Sequence, residues 1–342
     1  MERNNTLKIA SIYIGTVIGA GFASGQEIMQ FFTVYGKHGL YGITLATLLF
    51  SFSSSYVLLK VYHRQIQSYH QWIQPIFGSG ITRIFEVVLS LLLLSGYCIM
   101  LAGSGALLEH QFGFSKIVGV LLMSLVTFIT FLFSIQGMAW INTMVVPLLF
   151  LGIITMGVWI SIRCGFTMSN GTGAVLNTYT GNWFTSALLY VSYNSIGASV
   201  VMSSLLPLIN NPKTAVKGGL LGGVGLGLLA LFLLVPTLIL YTDISGVELP
   251  MMAVASRLGA PIQRGYGILL WLAMLTTAIS NGFVLIQTLD QHLPEQHGFN
   301  CFLFVLAAIP LANLGFKNLV TTLYPLFGYF GIGVLVFMLF RR

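Results

Sequence analysis

The chain has 342 residues, of which 56% are hydrophobic and only 7% charged, with a mean hydropathy of +0.90. Soluble domains carry about a quarter charged residues, so this composition excludes a soluble enzyme, a nucleic-acid binder and a disordered chain, and it points to lipid as the solvent. The formal net charge of +7 rests on 15 Lys and Arg with no basic run longer than Arg341-Arg342, which suits loop charges orienting a membrane protein rather than a phosphate-binding face.

A helix crossing the hydrocarbon core needs about 20 mostly apolar residues. By that ruler the chain divides into ten candidate spans, at about 8–32, 38–61, 82–108, 116–135, 140–163, 182–209, 215–241, 264–288, 298–315 and 318–340. Met1–Leu7 is polar and lacks the flanks of a cleavable signal peptide, so the first span is expected to stay in the mature protein. Little is left for an extramembrane domain, and residues 1–342 read as a single all-α transmembrane domain. An even number of spans puts both termini on one side. With the termini inside, nine basic residues fall on cytoplasmic segments against six outside, which favours cytoplasmic termini. Phe166–Gly181, uncharged and turn-rich, reads as an outer loop, and Thr242–Pro261 as an outer cap with short helices. Cys98, Cys164 and Cys301 form no CxxC pair and read as free thiols, with no zinc site.

Two spans depart from plain apolar helix. The first reads SIYIGTVIGAGFASGQEIMQFF, with Gly15, Gly19, Gly21 and Gly25 at mid-depth, followed by Gln26 and Glu27. Glycine costs about 1 kcal/mol per helix-interior position relative to alanine, so four within eleven residues invite unwinding. The competing reading is small-xxx-small packing, the use assigned to the glycines of span seven from Gly218 to Gly227. The sixth span gathers Tyr190, Ser192, Tyr193, Asn194, Ser195, Gly197 and Ser199 in its middle, where polar side chains can satisfy the backbone groups that a helix break releases. Its competing reading is a Ser/Tyr-rich face bonding its own carbonyls. Spans one and six correspond if the chain is two repeats of five, about 8–163 and 182–340, and paired broken helices point to a transporter site at the midplane.

Unwound backbone offers N–H groups to a carboxylate at one end and carbonyls to an ammonium or small cation at the other. A zwitterion such as an amino acid fits such a site without charged side chains. The expected lining is Gly19, Ala20, Gly21, Phe22, Ala23, Ser24 and Gly25 from span one, and Ser192, Tyr193, Asn194, Ser195 and Gly197 from span six, with Tyr97 flanking. Gln26 and Glu27, just past the glycine-rich stretch, are candidates for coupling or gating, since a partly buried carboxylate can carry a proton. Thr276 and Thr277 in span eight are adjacent hydroxyls that could lie beside the break in span one.

The run GTVIGAGFASGQEIMQFF resembles the first helix of the bacterial YkvI-like membrane proteins, and the ten-span plan is similar, more distantly, to the amino acid–polyamine–organocation superfamily. That resemblance implies an all-α integral membrane protein with a LeuT-type 5+5 inverted repeat and broken helices one and six. It further implies a Na⁺ ion held by the carbonyls of Gly15, Ile18 and Ala273 and the hydroxyls of Thr276 and Thr277. Five neutral oxygens suit a monovalent cation better than Ca²⁺, which favours several carboxylates. The function expected is a Na⁺-coupled secondary transporter of a small zwitterion such as an amino acid, with a proton-coupled permease using Glu27 or a ligand sensor on the same fold as alternatives. No cofactor besides the coupling ion is expected. With no nucleophile–base pair or metal cluster at one depth, an enzyme is not expected.

Overall fold

The computed structural model describes residues 2–66, 69–132, 138–164, 177–203, 205–292 and 296–340. The first span is built of three pieces: α1 (Glu2–Val17), α2 (Ala20–Ala23) and α3 (Gln26–Phe31). It is followed by α4 (His38–Arg64), α5 (Tyr69–Phe112), α6 (Lys116–Leu132) and α7 (Met138–Cys164). The second half holds α8 (Trp183–Ser203), α9 (Pro212–Ile239), the short α10 (Tyr241–Ile244) and α11 (Pro250–Ser256), then α12 (Ala260–His292), α13 (His297–Ala312) and α14 (Phe316–Phe340). Each expected span thus has a helical counterpart. The cap expected over Thr242–Pro261 does contain short helices, while most of the expected loop Phe166–Gly181 and the side chain of Cys164 lie outside the described residues.

Length and apolarity alone qualify four of these helices to cross a membrane: α4, the Thr82–Phe112 part of α5, α9 and the Ala260–Asp290 part of α12. α13 and α14 pass together but meet at 100°, across a turn where Gly315 takes φ +90°. Rows of leucine, isoleucine and phenylalanine on α6, α9 and α13 face outwards, among them Leu125, Leu228 and Leu306. A water-soluble protein does not display apolar surface on that scale.

Two groups of helices are packed closely through glycine. On α9, a β-carbon at Gly219 would lie 2.5 Å from the Ser55 backbone nitrogen of α4, and one at Gly218 would lie 2.7 Å from Ile9 of α1. Gly222, Gly223 and Gly227 make similar approaches to Tyr13, Ser51 and Thr47. Ser54 and Ser55 donate across the same seam to the carbonyls of Gly219 (3.0 Å) and Val216 (3.1 Å). The packing role expected for these glycines is therefore what they perform. The other group joins α5 and α6, where a β-carbon at Gly119 would lie 2.5 Å from the Ser104 carbonyl, and α12, whose Met274 presses on Gly103. α14 packs on α8 through Gly328 and Gly331, each with a carbonyl of α8 against its face.

Candidate functional site

The first span is interrupted twice. At the first interruption Ile18 still donates to Ile14 (2.9 Å), but the Gly19 N–H turns to Val17 (3.1 Å) instead of Gly15, which releases the Gly15 carbonyl from its helical bond. Gly19 itself is extended, at φ −96° and ψ −176°. The second interruption, at Ser24–Gly25, puts Gly25 at φ +81°, a conformation in which a side chain is strained. Ser24 closes the end of α2 with its own hydroxyl, which donates to the Gly21 carbonyl (2.8 Å). The Ser24 carbonyl in turn accepts from the Met251 N–H of α11 (2.9 Å), and the Tyr266 hydroxyl of α12 donates to the Ala23 carbonyl (2.6 Å). Groups freed by the broken helix are thus taken up by the α10–α11 cap and by α12.

Gln26 and Glu27 begin α3, beyond both interruptions in sequence. In space Glu27 is not beyond them. Its carboxylate folds back against Gly21, in the position that a β-carbon there would occupy, and accepts a hydrogen bond from the Tyr193 hydroxyl of α8. Gly21 therefore leaves room for a carboxylate rather than for a neighbouring helix. Glu27 is 3% exposed, and none of the ion pairs among the described residues includes it.

Aromatic rings enclose this contact. Tyr193 stacks on Tyr324 of α14 with centroids 4.8 Å apart and on Phe31 of α3 at 5.7 Å, while Tyr190 lies 5.2 Å from Phe31. The Tyr190 hydroxyl, Gln26 Oε1 and Gln30 Nε2 are buried without a hydrogen-bond partner. Phe31, Gln30 and Tyr324 were not among the expected site residues. Phe31 and Gln30 lie one turn beyond Glu27, a spacing that could have pointed to them; Tyr324 carries no signal, because only packing of α14 on α8 brings it there.

The break expected in the middle of span six is not present, although the helix stops at Ser203, short of the expected end at 209, and Leu206–Leu208 form a 3₁₀ turn. α8 runs continuously from Trp183 to Ser203 through Ser192, Tyr193, Asn194, Ser195 and Gly197. The physical reason is that its polar side chains bond their own helix: Ser192 to Leu188 (2.6 Å), Asn194 to Tyr190 (3.0 Å), Ser195 to Val191 (2.7 Å) and Ser199 to Ile196 (2.7 Å). These bonds supplement carbonyls already engaged in the helix and release none. Gly197 faces open space, as do Gly15 and Gly19.

The remaining expected residues are placed as follows. Ala20, Gly21, Phe22, Ala23, Ser24 and Gly25 are buried. α12 packs on α2, and along it Ala273 and Thr276 are buried while Thr277 is half-buried. The Thr276 hydroxyl donates to the Ala273 carbonyl of its own helix (3.1 Å), so two of the oxygens expected to hold a cation are bonded to each other. Tyr97 sits apart from the Glu27 contact. Its hydroxyl pairs with Thr127 of α6 (2.8 Å) and its ring packs on Phe304 of α13 and Phe131, which makes it a packing residue of that seam. No cluster of His, Cys, Asp and Glu suited to a metal occurs among the described residues.

Comparison with known proteins places this geometry in a class. No family model matches the chain. It is 28% identical to the uncharacterized membrane protein YkvI of Bacillus subtilis (strain 168), over 100% of this chain and 97% of that one. It is 27% identical to the uncharacterized protein YyaD of the same organism, covering 97% and 96%. Among solved structures it superposes on MhsT in complex with L-phenylalanine with a TM-score of 0.66 at 14% identity, covering 96% of this chain and 87% of that one. A Na⁺-coupled sialic acid symporter matches with a TM-score of 0.52 at 13% identity, over 100% and 87%, and an Eremococcus coleocola manganese transporter with 0.53 at 14%, over 96% and 85%. The fold is therefore that of the LeuT-type transporters, and the chain is a helical membrane protein. The last two of these structural relatives are transporters by their own descriptions.

Proposed function

We propose that the chain is a secondary active transporter of a small zwitterion such as an amino acid, coupled to Na⁺, in a 5+5 arrangement of ten spans with both termini cytoplasmic. The observation that carries this reading is the doubly interrupted α1–α2–α3 segment, with the Gly15 carbonyl released from its helical bond and open space over Gly15 and Gly19. MhsT with its bound L-phenylalanine and the Na⁺-coupled sialic acid symporter share the fold, which supports both the substrate class and the ion. The cation is assigned to the Gly15, Ile18 and Ala273 carbonyls with the Thr276 and Thr277 hydroxyls. The released Gly15 carbonyl supports it, and the Thr276 hydroxyl would have to turn from the Ala273 carbonyl to the ion on binding.

Alternating access then sets two groups of helices against each other. The group α1–α3, α4, α8 and α9 rocks against α5, α6, α12 and α13. Na⁺ and substrate bias that motion only through different affinities for its two end states. The test is uptake of radiolabelled amino acids into proteoliposomes with and without an inward Na⁺ gradient. Uptake that follows the gradient supports the reading. Uptake indifferent to Na⁺ sinks the ion assignment, and binding without flux makes the chain a ligand sensor with a transporter fold.

A further inference from the structure

Glu27 is the acidic side chain that the fold brings to the interrupted helix, and its surroundings are those of an ammonium site. The carboxylate lies on the Gly21 backbone between the two interruptions, so a ligand held there meets it directly. Its hydrogen-bond partner is the Tyr193 hydroxyl. The groups that face it are Tyr190 and Tyr193 from α8 and Tyr324 from α14, all neutral, while Tyr266 of α12 and Met251 of α11 are engaged with the backbone of Ala23 and Ser24. A carboxylate at this depth with no cationic partner is costly, so the empty site is stable when the group is neutral. Phe31, Tyr190, Tyr193 and Tyr324 pack on one another beside it, so its surroundings are aromatic. Gln26 Oε1 and the Tyr190 oxygen, both buried and unpartnered, are further acceptors for N–H donors.

We infer that Glu27 is the counter-ion of the substrate's ammonium group: the empty carrier holds a proton on this carboxyl, and arrival of an ammonium displaces it. In that exchange the Glu27 O–H bond breaks and its proton passes to water, while the carboxylate accepts N–H from the ligand. One charge replaces another. The inference rests on the transporter reading and narrows its substrate class to ligands with an ammonium N–H, since a ligand with a carboxylate alone brings no cation to take the place of the proton. It also makes substrate uptake and proton release opposite sides of one event, separate from the Na⁺ assigned to α1 and α12.

The experiment is infrared difference spectroscopy of the purified full-length protein at neutral pH in Na⁺ buffer, comparing wild type with Glu27→Gln. A protonated-carboxyl C=O band present in wild type and missing from Glu27→Gln is expected. That band should fade on adding methylammonium, L-alanine or L-phenylalanine and persist with K⁺, propanoate or 3-phenylpropanoate. Binding of the amino acids should weaken by about 100-fold in Glu27→Gln. A wild-type spectrum without the band overturns the inference. So does a band that neither methylammonium nor any amino acid accumulated by proteoliposomes can bleach, in which case the transport reading survives. If no amino acid is accumulated but methylammonium still bleaches the band, the ammonium site stands and the transport reading falls.

Discussion

Span one and span six look alike on paper, each dense in small and polar residues at mid-depth, yet one is broken and the other is not. The difference lies in where the polar atoms can go. In α1–α3 the glycines supply no side chain to hold the helix, and external donors capture the released carbonyls: Met251 N–H takes Ser24 and the Tyr266 hydroxyl takes Ala23. In α8 the hydroxyls of Ser192, Ser195 and Ser199 and the amide of Asn194 reach back to their own helix, so the carbonyls they bond stay within an intact helix. Polar residues at mid-span therefore do not break a helix by themselves. A break needs conformationally free residues and partners from elsewhere in the fold.

The contrast can be attacked from its strongest side first. Glu27→Gln removes the carboxylate that the break displays, and amino acid uptake into proteoliposomes should fall by about 100-fold, as for loss of one member of a buried charge pair. Uptake close to wild type would mean that the interruption works without it. Thr276→Ala combined with Thr277→Ala should abolish the stimulation of uptake by Na⁺, about 10-fold or more, while leaving thermal unfolding in detergent close to that of wild type, because Thr276 bonds only the neighbouring Ala273 carbonyl. Retained Na⁺ dependence would remove the cation from this place.

Two glycine replacements test the helices themselves. Gly25→Ala forces a side chain into φ +81° and sets its β-carbon 2.8 Å from Met251 Cγ, so the protein should lose about 1–2 kcal/mol, read as a lower unfolding temperature. Gly197→Ala meets open space in a continuous helix and should instead gain about 0.5–1 kcal/mol. If Gly197→Ala destabilised the protein, α8 would have to unwind in the state that dominates in solution. The smallest effect is expected from Ser195→Ala, whose hydroxyl only supplements a carbonyl of its own helix: a change within about 0.5 kcal/mol.

Much of the architecture is legible because lipid imposes a simple rule: an apolar stretch long enough to cross is a helix with its backbone bonds made internally. Hence every expected span has its helix, the cap between α9 and α12 holds short helices, and the glycines of α9 seat α1 and α4. The interruption of span one is legible too, since φ +81° at Gly25 is open to glycine and costly for other residues. The continuity of α8 is not. Serine and asparagine can either cap released carbonyls or bond intact ones, and the choice depends on whether neighbours compete for them.

By itself, then, the sequence determined a charge-poor helical membrane protein, the order of its helices and the weak point in the first of them, because hydropathy and glycine content act locally. The tertiary structure decided which polar atoms meet. Glu27 lies six residues after Gly21 yet rests against it, while Tyr193 and Tyr324, remote in sequence, close around the same carboxylate. Those contacts arise from packing α3, α8 and α14 together. Spacing along one helix carries no information about which side chains from other helices will face it, and in this protein those side chains define the site.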